Sequence, residues 1–331
     1  MTQINLDIET IRGDAVESRH RVHAAVVDAA GELLMSAGDP GLVTFWRSCA
    51  KPFQVMPLLR RGHFDTLGWG ADELALACAS HGGEPEHVAI ARSMLESLEL
   101  DEGDLACGPH EPLTRRGTRL ADRSGEPLSR LHNNCSGKHA AMLALATGEG
   151  WPLLGYEQRG HQVQEAAADA VAEWTGVPRG ALLQAVDGCG VVTFGLPLAA
   201  MARSFARLAS CARIGDAVPA RIVEAMRTRP FLVGGTDRFD TVLMEETDGS
   251  VVSKVGAEGV HTVGIVEEGV GIAIKVEDGA SRAQHPAVIR TLQLLGVLGR
   301  DLPPRLASFL EQPIVNTRGE VVGTTRPVAR A

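Results

Sequence analysis

Residues 46–54, Trp46-Arg47-Ser48-Cys49-Ala50-Lys51-Pro52-Phe53-Gln54, decide what this chain can be. The stretch joins a predicted strand at residues 42–45 to a predicted helix at residues 48–60. On that helix Ser48 and Lys51 lie on one face, because residues three apart are neighbours on a helix surface. Pro52 fits only in a first helical turn. Ser48 is therefore predicted at a helix N-terminus, where backbone N–H groups stabilise an oxyanion.

The spacing of Ser48 and Lys51 predicts a nucleophile and its base. A serine hydroxyl attacks only after a base removes its proton, and a desolvated lysine can act as that base. Ser-x-x-Lys is the nucleophile–base signature of penicillin-binding proteins and β-lactamases. The alternative is an N-cap serine followed by a solvated lysine, a pair that occurs by chance in many proteins.

Composition excludes several classes of protein. The chain has 331 residues, a net charge of −9 and 44% hydrophobic residues, and no run of lysine and arginine indicates a nucleic-acid surface. No apolar stretch reaches membrane-spanning length, and residues 1–12 lack the apolar segment of a signal peptide. The six cysteines include no Cys-x-x-Cys pair and are predicted to be reduced thiols. We expect a cytoplasmic protein with a small-molecule substrate.

Hydrophobic periodicity predicts strands near both ends of the chain and helices between them. Strands are predicted at residues 21–28, 32–36, 42–45, 242–246, 250–255, 260–267 and 270–276, with a hairpin at 314–322. Helices are predicted at residues 48–60, 71–79, 84–98, 138–147, 162–175, 196–209, 217–228 and 286–298. This order predicts one α/β domain over residues 1–331. Residues 1–47 and 230–331 would form an antiparallel sheet, and the mainly helical residues 48–229 would be inserted between them, as in serine β-lactamases and glutaminases.

Two further residues extend the Ser48–Lys51 pattern. Ser80 follows an alanine-rich helix, where a second serine of a Ser-x-x-Lys enzyme relays a proton to the leaving group. Lys254 ends a strand and precedes Val255-Gly256, which is similar to the Lys-Thr-Gly element of β-lactamases. The alternatives are a serine at a frayed helix end and an ordinary strand lysine. Three partial matches in the expected chain order favour a catalytic cleft.

Two polar segments are candidates for binding a metal or a substrate. The thiols of Cys135 and Cys189, with His139 and Asp187 beside them, are the ligand types of a zinc site. Cysteines so far apart in sequence are otherwise buried thiols. Arg238, in a glycine-rich loop, is predicted to hold a substrate carboxylate in a bidentate fork, the alternative being a surface ion pair.

Together these segments resemble the asparaginase II family of the rhizobial type. The resemblance covers essentially the whole chain and is carried by Arg12-Gly13 with Val16-Glu17-Ser18, Arg47-Ser48-x-x-Lys51-Pro52-x-Gln54, Asn134-Cys135-Ser136-Gly137-Lys138-His139, Asp187-Gly188-Cys189-Gly190 and Lys254-Val255-Gly256-Ala257-Glu258-Gly259. It implies a β-lactamase- and glutaminase-like fold, a homodimer, and hydrolysis of L-asparagine to L-aspartate and ammonia.

The resemblance also implies roles for individual residues. Ser48 would be the nucleophile and Lys51 its base, and Ser80 and Lys254 would complete the hydrogen-bonded set. A zinc-type metal would be held by Cys135, Lys138 and Cys189. Ligand chemistry alone favours His139 over Lys138, because an amine binds a metal only after losing its proton. The remaining substrate-binding candidates are Arg47, Asn133, His139, Asp187 and Arg238.

Two alternatives to an asparaginase follow from the same residues. One is another Ser-x-x-Lys hydrolase, such as a glutaminase, β-lactamase or esterase, since one methylene of pocket depth separates asparagine from glutamine. The other is a zinc-containing amino-acid-binding protein in which the serine and lysine do no chemistry.

Overall fold

The computed structural model describes residues 2–328, which form a mixed α/β fold. The strands are β1 Thr2–Gln3, β2 Ile8–Arg12, β3 Ala15–His20, β4 Val22–Asp28, β5 Leu33–Ala37, β6 Val43–Phe45, β7 Leu183–Val186, β8 Val192–Pro197, β9 Val251–Val255, β10 Val260–Ile265, β11 Val270–Val276, β12 Gln312–Val315 and β13 Val321–Pro327. The helices are α1 Lys51–Gln54, α2 Met56–Arg60, α3 His63–Thr66, α4 Ala71–Ala77, α5 Pro85–Glu96, α6 Arg115–Ser124, α7 Ser136–Glu149, α8 Gln162–Thr175, α9 Leu198–Arg213, α10 Ala217–Thr228, α11 Pro230–Val233, α12 Phe239–Glu246, α13 Ser281–Leu294 and α14 Pro304–Leu310. Short 3-10 turns lie at Arg47–Ala50, Glu102–Asp104, Arg130–His132 and Arg179–Ala181.

Both ends of the chain contribute to the largest sheet. Its six strands run in the order β1-β5-β4-β11-β10-β9, and the central antiparallel pair β4–β11 joins the N-terminal strands to the C-terminal ones. Only β1 and β5 pair in parallel within the described residues. The predicted mixed α/β class, with antiparallel strands from both chain ends, is confirmed. A single sheet is wrong, because β12-β13-β2-β3 and β6-β8-β7 form two more.

The six-stranded sheet separates two hydrophobic cores. Ala25 and Val27 of β4 face the larger core, which includes α9, while Ala24 and Val26 face the smaller core, which includes α13. This alternation follows the period of two along a strand. Gly271 lets α9 approach β11, because a Cβ there would lie 1.9 Å from the carbonyl oxygen of Ala202.

Three sequence predictions differ from the structure. Residues 242–246 are not a strand but part of α12, whose Phe239, Val242 and Leu243 all pack into the smaller core at helical spacing. The helix predicted at 48–60 is a 3-10 turn followed by α1 and α2, because Pro52 and Pro57 each start a new segment. Strand β6, within the residues 1–47 that were predicted to join the antiparallel sheet, pairs instead with β8 in a separate sheet.

The hairpin formed by β2 and β3 has no counterpart in the sequence prediction. Gly13, with a φ of +56°, makes its turn. No helix in residues 2–328 has the length and apolar character needed to cross a membrane.

Candidate active site

Ser48 lies on the 3-10 turn Arg47–Ala50, which is fixed on both sides. Arg47 adopts a φ of +54°, a conformation that costs a non-glycine residue about 1–3 kcal/mol. Its Nε donates to Asp187 Oδ1 at 2.7 Å. On the other side, Cys49 Sγ donates to the carbonyl oxygen of Lys254 at 3.0 Å. The turn is therefore tied both to the loop after β7 and to the end of β9.

Aromatic packing anchors the residues on either side of the turn at 47–50. The rings of Trp46 and Phe53 stack at a centroid distance of 5.0 Å, and both are fully buried. Phe205 of α9 lies 5.5 Å from Phe53 in an edge-on arrangement, and Trp174 of α8 lies 5.8 Å from it. Ser48 is thus carried by a rigid aromatic cluster in the larger core.

Two lysines converge on Ser80. Lys51 Nζ lies 3.2 Å from Ser80 Oγ, and Lys254 Nζ lies 2.8 Å from the same atom. Lys51 also donates to the carbonyl oxygens of Ala79 and Asn134. All three side chains of the cluster are buried. Within residues 2–328 no hydrogen bond joins Ser48 Oγ to Lys51 Nζ; the Lys51 amine lies against Ser80 instead.

Asp240 places a buried carboxylate beside this cluster. Its Oδ2 lies 3.9 Å from Lys254 Nζ and accepts from the backbone N–H of Val255 at 2.9 Å. Its Oδ1 accepts from Ser253 Oγ at 2.7 Å and lies 3.3 Å from His261 Nε2. Although burial raises the pKa of Asp240, these partners hold it well below the usual range. The carboxylate is therefore ionised.

Burial favours the neutral form of Lys254. It lowers the pKa of Lys254 to about 8; the Asp240 carboxylate opposes this shift, and the charge of Lys51 adds to it. Two ammonium groups on one hydroxyl, within about 6 Å of each other, repel. Lys254 therefore releases its proton more readily than an exposed lysine does.

A cavity of about 450 Å³ opens beside the cluster, within the range of ligand-binding sites. Ser48, Ser80 and Asn134 line it, and Phe239, His285 and Phe309, whose rings pack against one another, form an aromatic wall. Arg238 also lines it, and among residues 2–328 its guanidinium has no carboxylate or carbonyl partner. Burial lowers the pKa of Arg238, and Asp240 opposes that shift. A guanidinium so placed is available to an anion.

Cys135, Lys138 and Cys189 meet in a second, buried cluster. The first two lie at the start of α7, and Cys189 lies in the loop between β7 and β8. Lys138 Nζ is 3.0 Å from Cys189 Sγ. The contact with the Cys135 thiol lowers the pKa of Cys189 to about 4, against the effect of burial, and Lys138 lowers it further. Burial lowers the pKa of Lys138, but the two cysteines raise it by more.

This donor set fits a zinc-type ion only when Lys138 is counted. Two sulfurs and a neutral amine nitrogen are donors that zinc accepts, so Lys138 would have to lose the proton that its surroundings favour, at a cost that the bound ion must offset. Within residues 2–328 no three His, Cys, Asp or Glu side chains are grouped so that they could hold a metal. The prediction that His139 or Asp187 completes a metal site with the two cysteines is therefore wrong.

Four of the five proposed substrate-binding residues lie outside the cavity. Arg47 and Asp187 bind each other. Asn133 is buried, donates to the carbonyl oxygen of Gly108 at 2.6 Å, and accepts from the backbone N–H of Cys135 at 2.9 Å. His139 is buried against the hydroxyl of Tyr156, at 2.6 Å from Nδ1. Only Arg238 of this group lines the cavity.

Sequence reasoning missed two residues of the site. Asn134 lines the cavity in place of its neighbour Asn133, and its carbonyl oxygen accepts from Lys51. Asp240 closes the glycine-rich segment that also carries Arg238, and an acidic residue in such a segment was the available signal. No local pattern pairs it with Lys254, because that contact crosses from α12 to β9.

Solved structures share partial likeness with this chain. Mglu in its native form is 16% identical, with a TM-score of 0.46 over 85% of this chain and 65% of that one. A β-lactamase from Mycobacterium bovis is 12% identical, with a TM-score of 0.36 over 84% and 95% of the two chains. Simvastatin synthase from Aspergillus terreus is 12% identical, with a TM-score of 0.38 over 82% and 91%. The chain thus spans 65% of the length of Mglu.

Sequence comparison identifies the family. No curated protein matches the chain. The sequence model of the family described as L-asparaginase II matches residues 8–327, nearly the whole length, and this range contains Ser48, Lys51, Ser80 and Lys254. The chain belongs to the L-asparaginase II family.

Proposed function

We propose that this protein hydrolyses the side-chain amide of L-asparagine to L-aspartate and ammonia. The family supports amide hydrolysis in general terms. The observation that carries the proposal is the convergence of Lys51 and Lys254 on Ser80, beside Ser48, at one end of a cavity that also contains Arg238. Such a cluster supplies a nucleophile, a base and a proton donor in a single site.

In the first step Lys51, as the neutral amine, takes the proton of Ser48, and Ser48 Oγ attacks the amide carbon. The two carbonyl oxygens at Lys51 Nζ can accept both N–H groups of a neutral amine, which leaves its lone pair for a hydroxyl. Lys254 carries its proton below its pKa of about 8, and the Asp240 carboxylate, 3.9 Å from its Nζ, favours that charged form. The missing direct contact between Ser48 and Lys51 is compatible with this role, because catalytic hydrogen bonds often tighten only when substrate binds.

The tetrahedral intermediate then needs oxyanion donors and a proton for the leaving group. Ala257 follows β9 and lines the cavity, and its backbone N–H has no acceptor among residues 2–328, so we assign it as one donor. Lys254 delivers its proton to the departing ammonia through Ser80, to which it is hydrogen-bonded at 2.8 Å. Water then hydrolyses the β-aspartyl ester and frees Ser48.

Arg238 orients the substrate in this proposal. Asparagine carries a carboxylate that a guanidinium binds through two parallel hydrogen bonds. Arg238 lines the same cavity as Ser48 and has no ion-pair partner in the described residues. The aromatic wall would cover the opposite side of the small substrate.

We also propose that Cys135, Lys138 and Cys189 hold a zinc ion. When bound, the ion would supply positive charge and an open coordination position that helps to orient the substrate. It need not supply the nucleophile, since Ser48 does. Cys135 Sγ donates to Asn134 Oδ1 at 2.9 Å, which connects this cluster to the cavity wall. A homodimer, as the resemblance implies, is a further proposal, and light scattering of the purified protein tests it.

Ammonia release from L-asparagine and L-glutamine, measured side by side, tests the proposed reaction. We expect turnover of asparagine, and a panel with a β-lactam and a short ester separates the other Ser-x-x-Lys activities. Thermal stabilisation by asparagine without ammonia release would instead identify an amino-acid-binding protein.

A further inference from the structure

We propose that Glu84 is a positioning residue that fixes the substrate-binding loop, defined here as residues 234–238, so that Arg238 meets the substrate carboxylate at a set distance from Ser80. The inference rests on the proposed function, because it assigns Arg238 to the substrate. Glu84 itself does not line the cavity. It acts through the backbone and side chain of Thr236.

The carboxylate of Glu84 is buried and holds the loop at two points. Oε1 accepts from the backbone N–H of Thr236 at 2.7 Å, and Oε2 accepts from Thr236 Oγ1 at 2.7 Å. The Glu84 side chain is 0% exposed, and Arg116 pairs with it. A buried charge with this many donors has one stable geometry, since losing a donor leaves part of the charge unpaired.

The loop is shaped to receive that carboxylate. Gly235 has a φ of +123°, and a Cβ there would lie 2.9 Å from Glu84 Oε1. The backbone N–H of Gly235 donates to Thr241 Oγ1 at 3.0 Å. The next residue after Thr236, Asp237, adopts a φ of +57°, which is a strained conformation that the surrounding bonds must maintain. Arg238 follows directly.

The short segment that carries Glu84, residues 80–84, also carries Ser80. Residues 80–84 touch the chain around the loop at both ends, because Ser80 donates its backbone N–H to the carbonyl oxygen of Val233 at 3.1 Å and Glu84 binds Thr236. The separation of the reactive hydroxyl from the guanidinium of Arg238 is therefore set by this double attachment. Loosening it should weaken substrate binding more than it slows the chemistry of a bound substrate.

Glu86 offers a matched control. It pairs with the same Arg116, at 2.6 Å and 2.8 Å, but its side chain is 46% exposed and no hydrogen bond joins it to Thr236. Replacing Glu86 by Gln removes a comparable charge from the same arginine without touching the loop.

The experiment measures kcat and KM for L-asparagine, the Kd for L-aspartate by calorimetry, and Tm. For Glu84→Gln we expect KM and Kd to rise about tenfold while kcat changes by less than about threefold, and Glu86→Gln should match the wild type. If Glu84→Gln does not fold, Thr236→Val decides: it should raise KM and Kd, and Thr236→Ser, which keeps the hydroxyl, should restore them.

A fall in Tm with unchanged KM and Kd in Glu84→Gln, or in Thr236→Val where the former does not fold, would make the contact merely structural and overturn the inference alone. Equal effects of the Glu84 and Glu86 substitutions would also overturn it. A wild-type protein that neither releases ammonia from asparagine nor binds aspartate would overturn the proposed function and this inference together.

Discussion

Lys51 and Lys254 reach one hydroxyl from two different elements, at 3.2 Å and 2.8 Å from Ser80 Oγ. Lys51 comes from α1 and Lys254 from the end of β9, so the contact joins the helical part of the chain to the sheet. The charge of Lys51 lowers the pKa of Lys254, because two ammonium groups this close repel. The protonation of Lys254 therefore matters for the proposed chemistry.

The pH dependence of kcat/KM should report the proposed proton donor, Lys254. Its pKa is lowered to about 8, mainly by burial. Above that pH Lys254 loses the proton that it would deliver to the departing ammonia, so kcat/KM should fall as pH increases from about 7 to about 9.

Asp240→Asn tests the assignment of that limb. Removing the carboxylate removes the interaction that raises the pKa of Lys254, so the falling limb should move to lower pH. Ser253→Ala removes a hydrogen bond to Asp240 but no charge, and its limb should stay near that of the wild type. An unmoved limb in Asp240→Asn would show that another group controls the rate.

Zinc content should depend on the cluster of Cys135, Lys138 and Cys189. Cys189→Ala removes the thiolate, so zinc measured by elemental mass spectrometry should fall to a small fraction of the wild-type value. We expect KM for asparagine to rise more than kcat falls, because the proposed metal orients the substrate.

Cys211→Ala is the matched control for the zinc measurement, since Cys211 is a free, partly exposed thiol whose charged neighbours are Asp216 and Arg207. Its zinc content should equal that of the wild type. A Cys189→Ala protein that retains full zinc would rule out this site.

Phe53 should be important for stability. Its ring packs between Trp46, Trp174 and Phe205 in the larger core, so Phe53→Ala should lower the free energy of unfolding by about 3–5 kcal/mol. Urea denaturation measures the change. Phe45→Ala, at a side chain that is 37% exposed, should cost clearly less. Equal losses at the two positions would contradict the description of this cluster as the support of the Ser48 turn.

The sequence predicted the residues that local motifs carry. Ser48, Lys51, Ser80 and Lys254 each belong to a short pattern, and the structure brings Ser80 and both lysines together beside Ser48. The boundaries of α8, α10 and β11 were also predicted correctly, since their apolar residues follow a clear period.

The sequence could not predict contacts between distant residues, and it could not tell which of two adjacent identical residues faces the cavity. Glu84 and Asp240 act on residues 152 and 14 positions away, and no sequence period encodes such a contact. Asn133 and Asn134 have the same side chain, and only the fold turns the first toward Gly108 and the second toward the cavity. Over the 8 residues of α12 the apolar positions fit both the helical period and the strand period. The pattern therefore could not decide between a helix and a strand.

Ammonia release from L-asparagine by the wild type and by Ser48→Ala, measured in parallel at about pH 7.5, tests the central claim most directly. The proposal predicts turnover by the wild type and a loss of about 10⁴-fold or more in kcat for Ser48→Ala, with Tm unchanged within a few degrees. Turnover by Ser48→Ala at a rate near that of the wild type would contradict the assignment of Ser48 as the nucleophile.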